Sequence, residues 1–157
     1  MTATAAGTAE TRVHRYSESL PCEPESAARA RLLVSAALNT WSMEELAEPG
    51  ALIVSEFVNN TIVHTRCRLM RVAVERRPRA QVIRIGVADR GGRLPEPRRP
   101  GDREGSGRGL LLVDALSRRW GCDRYAWGKV VWAELTMPDP HRPFPSVPLP
   151  SPQESTL

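Results

Sequence analysis

Lysine is almost missing from this chain. Lys129 is the only one among 22 basic residues, and all the others are Arg. An Arg-rich, Ala-rich, Lys-poor composition reads as codon bias, which accounts for the net charge of +4 and the pI near 9.5. Aromatics are scarce too, with two Phe, two Tyr and four Trp. No basic-aromatic cluster stands ready to stack bases, so a nucleic-acid binder rests on pI alone. No apolar run approaches the ~20 residues of a membrane span. Residues 1–10 carry neither a basic start nor an apolar block, and are read as disordered and not as a signal peptide. Cys22, Cys67 and Cys122 are three, an odd number at wide spacing. They are read as reduced thiols of a cytoplasmic protein, which excludes a disulfide framework and a paired-cysteine zinc site.

What is present suits one soluble domain. A length of 157 residues supports a single core, and 41% hydrophobic with 25% charged residues is ordinary for a globular protein. The stretch that organises the rest is Leu52-Ile-Val-Ser-Glu-Phe-Val-Asn-Asn-Thr-Ile-Val-His64. Its apolar residues recur at three- and four-residue steps, which predicts a helix over about 50–65. Glu56, Asn60 and His64 lie four residues apart and form one polar stripe. A surface stripe carries Lys or Arg, and this one has none until Arg66. Polar groups in such apolar company need partners, because an unsatisfied buried group costs about 1–3 kcal/mol. Either a nucleotide phosphate with its metal supplies them, or a capping or core network does.

The remaining elements follow in order. Thr11 to Ser17 alternates weakly and predicts an edge strand. A turn over Leu20 to Glu25 leads into a helix of about 25–40, with Pro24 near its first position. Ala27, Ala30, Val34, Ala37, Leu38 and Trp41 share one face of it. Met43 to Gly50 is read as a connector. Arg68 to Arg77 and Gln81 to Asp89 predict two strands joined by a turn, the second rich in branched residues. Residues 93–105 form a Pro- and Arg-rich loop. Ser106 to Arg119 predicts a helix entered through glycine. Cys122 to Ala126 and Lys129 to Met137 predict a closing strand pair. From Pro138 onward seven prolines in twenty residues mark an extended appendage. Three segments follow: a disordered 1–10, a domain over 11–137, and a Pro-rich tail over 138–157. The fold class is α/β (α+β), a two-layer sandwich of one mixed, mostly antiparallel sheet with helices on one face.

Four local patterns carry chemistry. Glu56 and Asn60 offer a proton acceptor and an oxygen ligand suited to Mg²⁺. Asp89 at a strand end, before Gly91-Gly92, can accept a hydrogen bond from an exocyclic amine; alone, an ordinary turn explains it better. Gly105-Ser-Gly107-Arg-Gly109 opens an apolar helix and exposes backbone N–H groups to an anion. It is neither a Walker loop nor a dinucleotide fingerprint, and a hinge explains it equally well. Gly128-Lys129 starts the last strand, where the single lysine faces either a phosphate or solvent; alone, a solvated turn residue explains it better.

Taken together, these four patterns resemble the motif boxes of the histidine-kinase-like ATPases with the Bergerat fold. The short, stand-alone anti-sigma-factor serine/threonine kinases of actinobacteria are the nearest form. The likeness runs from about residue 12 to 137. It implies ATP and Mg²⁺ as cofactors, with Asn60 on the metal, Glu56 as general base and Asp89 on adenine. It implies that Gly91 supports the base, and that Gly107 and Gly109 hold the phosphates, flanked by Gly105, Arg108 and Leu110. Lys129 would complete the ATP-binding set. Residues 93–106 would be a lid, with Arg98, Arg99, Arg103 or Arg108 on the triphosphate, and His64 would support the groups that touch ATP. Two departures stand out: the second glycine after Asp89 is displaced, and Val130 takes the place of a threonine.

The resemblance implies a cytoplasmic kinase that phosphorylates an anti-sigma antagonist and, when free, sequesters a sigma factor. Members of the family often dimerise. The alternative is a non-catalytic module that holds its partner by contact alone. A two-component sensor kinase ranks low, because no helical hairpin with a phosphoacceptor His precedes the domain. Direct nucleic-acid or membrane binding is not expected.

Overall fold

The computed structural model describes residues 14–90 and 107–139, with the backbone alone for 107–109. The expectations for the N-terminus, the lid and most of the tail lie outside these residues. The strands are β1 (Arg15–Pro21), β2 (Leu69–Arg77), β3 (Val82–Asp89), β4 (Arg119–Tyr125) and β5 (Gly128–Thr136). The helices are α1 (Ser26–Thr40), α2 (Ala47–His64) and α3 (Gly107–Leu116). The sheet order is β1-β2-β3-β5-β4. Every pairing among the described strands is antiparallel, so the mixed element of the expected sheet is not seen there. Short connections explain this: β2 and β3 are joined through a single 3₁₀ turn at Pro78–Ala80, and β4 and β5 by a tight turn. The result is a two-layer α+β sandwich.

Alternation along the strands separates two faces. Met70, Val72 and Val74 on β2 and Ile83, Ile85 and Val87 on β3 are buried beneath the helices. Ala133 and Leu135 on β5 continue the layer. Above them lie Ala30, Val34 and Leu38 of α1 and Ile53, Val54, Phe57 and Val58 of α2. Each large side chain buried in this way contributes about 1.5–3 kcal/mol. The α1 face expected from its periodicity, including Ala27, Ala37 and Trp41, is buried.

Several boundaries move. α2 begins at Ala47, so Pro49 and Gly50 sit inside its first turn and not in a connector. A proline is tolerated there because the first turn's N–H groups have no intrahelical acceptor. Gly50 is there for space: a Cβ would lie 3.0 Å from Val34 Cγ1 and 3.1 Å from Leu38 Cδ1. β1 runs four residues further than expected, because Pro21 can end an edge strand without donating a hydrogen bond. α3 stops at Leu116, since Arg119 and Trp120 pair with Glu134 and Ala133 and belong to β4. No helix among the described residues is long and apolar enough to cross a membrane.

The opposite face of the sheet holds a charged clamp. Glu134 on β5 is 2% exposed and pairs with Arg84 of β3 and Arg119 of β4, which spans three strands. The Arg84 guanidinium also lies 4.2 Å from the centre of the Trp132 ring. Trp132 has room because its cross-strand neighbours are Gly86 and Gly121. A Cβ on Gly121 would come within 2.8 Å of the indole. Burial pushes the Glu134 carboxyl up, but hydrogen bonds from Arg119 and Arg84 outweigh it and hold the group below the usual carboxylate range.

The cysteines contradict the expectation of reduced thiols. Cys22 and Cys67 form a disulfide across a sequence separation of 45, while Cys122 is free and exposed. Parity and spacing along the chain could not show it. The pairing of Pro21 with Leu69 brings the two thiols together, and the Cys22 N–H bonds to the Arg68 carbonyl at 3.0 Å.

Two outcomes follow from this packing. Chain-entropy arguments give a crosslink closing a loop of this size ~4 kcal/mol. Cys22→Ser, or reduction with dithiothreitol, should therefore lower the denaturant midpoint clearly, with the folded far-ultraviolet dichroism retained in buffer. The Glu134 group is depressed in the folded state, so its contribution is complete above the ordinary carboxylate pKa and is lost as pH falls through the folded value. Glu134→Gln should be less stable than wild type at neutral pH, with the difference narrowing in acid, as read by thermal melts across pH.

Candidate functional site

The buried seam of α2 consists of Gly50, Ile53, Val54, Phe57, Val58 and Thr61. At about 100° per residue these cluster on one side, which lies on β3. One flank of the seam, through Ser55, faces α1, where Arg31 donates a hydrogen bond to the Ser55 hydroxyl at 3.0 Å. Glu56 and Asn60 occupy the other flank, both half-buried. Because α1 covers β1 and β2 while α3 reaches β4, that flank looks toward α3. The stripe was expected amid aliphatic neighbours, yet Leu52 and Val63 beside it are exposed at 42% and 74%. The polar pair therefore sits at an open edge of the helix and is not enclosed by its own neighbours. His64 is the last residue of α2 and is exposed.

Asp89 ends β3 on the helix-covered face and is 3% exposed. The register carries it there, since Ile83, Ile85, Val87 and Asp89 alternate onto the same side. Gly128 holds this corner closed. Its φ is 155°, and a Cβ would lie 2.0 Å from the Asp89 carbonyl oxygen. Only glycine lets β5 start so near the Asp89–Arg90 peptide.

Lys129 is the direct cross-strand partner of Asp89 and lies half-buried. It therefore shares the covered face with the carboxylate. Val130 pairs with Ala88 on the opposite face; a Cβ on Gly86 would lie 3.7 Å from Val130 Cγ1. Lys129, and not Val130, is thus the residue at the start of β5 that lies on the Asp89 side, a distinction only strand register reveals. Residues 125–127 also bring two exposed aromatics to this end of the sheet, Tyr125 stacked on Trp127 at 5.0 Å.

α3 packs beside α2, opening with Gly107 and Gly109 in helical conformation. Its first N–H groups present the positive end of the helix dipole. Leu110, one turn in, is half-buried. Gly91, Gly105 and the lid arginines Arg98, Arg99 and Arg103 lie outside the described residues, as does the side chain of Arg108.

The arrangement joins one amide-bearing helix edge, one buried carboxylate and one glycine-opened helix start along the side of α2 that α1 leaves uncovered. Among the described residues no cluster of three or more His, Cys, Asp or Glu could hold a metal by protein ligands alone. The donor set fits a hard cation shared between Asn60 and the oxygens of a bound anion, since Mg²⁺ ordinarily keeps waters and phosphate oxygens in its shell. A site with one anion-reading and one amine-reading end suits a purine nucleotide.

A search of curated proteins finds no match to the chain. The family model described as histidine kinase-like ATPase domain matches residues 20–135, which spans every element from the end of β1 to β5. The chain belongs to the histidine kinase-like ATPase family, whose domain binds ATP.

Proposed function

We propose that this ATP-binding regulatory protein is an anti-sigma-factor serine/threonine kinase. It transfers the γ-phosphoryl group of ATP to a Ser or Thr of a small antagonist protein and holds a sigma factor when the antagonist is absent. The observation that carries the reading is the position of Glu56 and Asn60. They are a carboxylate and a carboxamide one turn apart, half-buried on the α2 flank that looks toward α3.

The roles follow from chemistry and place. Asp89 accepts a hydrogen bond from the adenine amine. The N-terminal amides of α3 receive the phosphates. Asn60 contributes an oxygen to Mg²⁺, which when bound neutralises charge on the triphosphate. Glu56 accepts the proton of the attacking hydroxyl. The hydroxyl oxygen bonds to the γ-phosphorus as the bond from that phosphorus to the bridging oxygen breaks, leaving ADP. His64, exposed at the end of α2, supports the groups that touch ATP.

The cytoplasm, where ATP and the transcription machinery meet, is the proposed location. The Cys22–Cys67 disulfide would there be a bond formed under oxidation, as cytosolic disulfides usually are. A homodimer belongs to the same proposal.

Calorimetric titration with Mg·ATP and transfer of labelled phosphate to candidate antagonists test it. Asn60→Ala should weaken Mg·ATP binding by at least about tenfold, the worth of a lost contact to a charged group. Glu56→Ala should keep ATP affinity while transfer falls by roughly 10²–10⁴. Binding by wild type with no transfer to any antagonist would instead favour a module acting by contact alone.

A further inference from the structure

The end of the sheet under the helices carries a row of four cross-strand neighbours: Met70, Asp89, Lys129 and Arg124. Directly opposed side chains on neighbouring strands start about 4.5–5.5 Å apart at Cβ. The lysine stem is long enough to carry its ammonium beside and beyond the Asp89 carboxylate. Lys129 is flanked by an anion on one side and a cation on the other. Arg124 is exposed and repels the ammonium, while Asp89, buried at 3% exposure, attracts it. The glycine before it fixes the strand against the Asp89 peptide, so the lysine backbone is anchored at the carboxylate and not at the start of α3.

We infer that Lys129, set cross-strand to Asp89 on the covered face, is a base-contacting specificity residue. Its ammonium donates to the ring nitrogen next to the amine that Asp89 reads. The inference rests on the proposed role of Asp89 toward adenine. The two side chains offer complementary chemistry: a carboxylate only accepts hydrogen bonds, and an ammonium only donates them. Adenine presents a matching pair along one edge, the N6 amine as donor and N1 as acceptor. An acceptor and a donor fixed on adjacent strands read that pair together, whereas either alone reads half of it. This replaces the expectation that Lys129 faces a phosphate. It also gives a use to the chain's one lysine: a compact ammonium on a flexible stem reaches a single ring nitrogen, where a planar guanidinium would present a wide fork.

The test compares Mg·ATP with Mg·1-deaza-ATP, which keeps the amine and lacks the N1 acceptor. Wild type should bind the deaza analogue roughly tenfold more weakly, the usual worth of a hydrogen bond to a charged group. Lys129→Met should bind ATP about as weakly as wild type binds the analogue, and should no longer distinguish the two ligands. Lys129→Arg, which keeps a cationic donor, should retain part of the distinction. Equal binding of both ligands by wild type, or undiminished discrimination by Lys129→Met, overturns the inference. A purely structural role for Lys129 would lower melting temperature without changing the ratio between ligands. Asp89→Asn separates the two layers of the argument. If it leaves ATP affinity unchanged, the base-reading role of Asp89 is wrong and the inference falls with it. If it weakens ATP binding while Lys129→Met does not, only the inference falls.

Discussion

The seam between α2 and β3 is the contact on which the rest depends. Phe57, Val58, Ile53 and Val54 of the helix are buried against Ile83, Ile85 and Val87 of the strand. That burial fixes the rotation of α2, and rotation decides which flank is free. At Gly50 a Cβ would crowd Val34 and Leu38 of α1 and Ile85 of β3, so the helix packs closely against both there. Glu56 and Asn60 are thereby held on the flank turned away from α1. The same strand delivers Asp89 at its end, on the same covered side. One packed seam thus positions Glu56, Asn60 and Asp89, the proposed proton acceptor, metal ligand and base reader, although Asp89 lies far from the other two in sequence.

A second set of interactions keeps the far half of the sheet in register. The Arg84–Glu134–Arg119 clamp and the Trp132 ring cross β3, β5 and β4 on the outer face. Register at these strands decides which residue faces Asp89, because a one-residue slip would exchange Lys129 for Val130 on the covered face. The Cys22–Cys67 bond performs a comparable task at the other edge, tying the end of β1 to the segment that links α2 with β2.

Much of this was legible in the chain. The apolar spacing of α1 and α2 identified the core-facing residues of α1, and the branched run from Val82 to Val87 identified the central strand. The four motif patterns in order pointed to the family that the domain match shows. What stayed hidden was what depends on pairing between distant segments. The disulfide needs the β1–β2 register to be seen. The face on which Lys129 lies needs the β3–β5 register. Pro49 and Gly50 looked like a break because local propensity disfavours both, yet the first helical turn tolerates one and close packing selects the other. The exposure of Leu52 and Val63 was missed for the opposite reason: hydrophobic residues beside a polar stripe need not be buried.

The central claim is that the free flank of α2, Asp89 and the opening of α3 form one nucleotide site. Amide hydrogen exchange with and without Mg·ATP measures this most directly. The account predicts slowed exchange in the second half of α2, at Asp89–Arg90 and over Gly107–Leu110, with the outer-face strand positions around Trp132 unchanged. Exchange that is unaffected at those three places, or slowed only on the outer face, would contradict it.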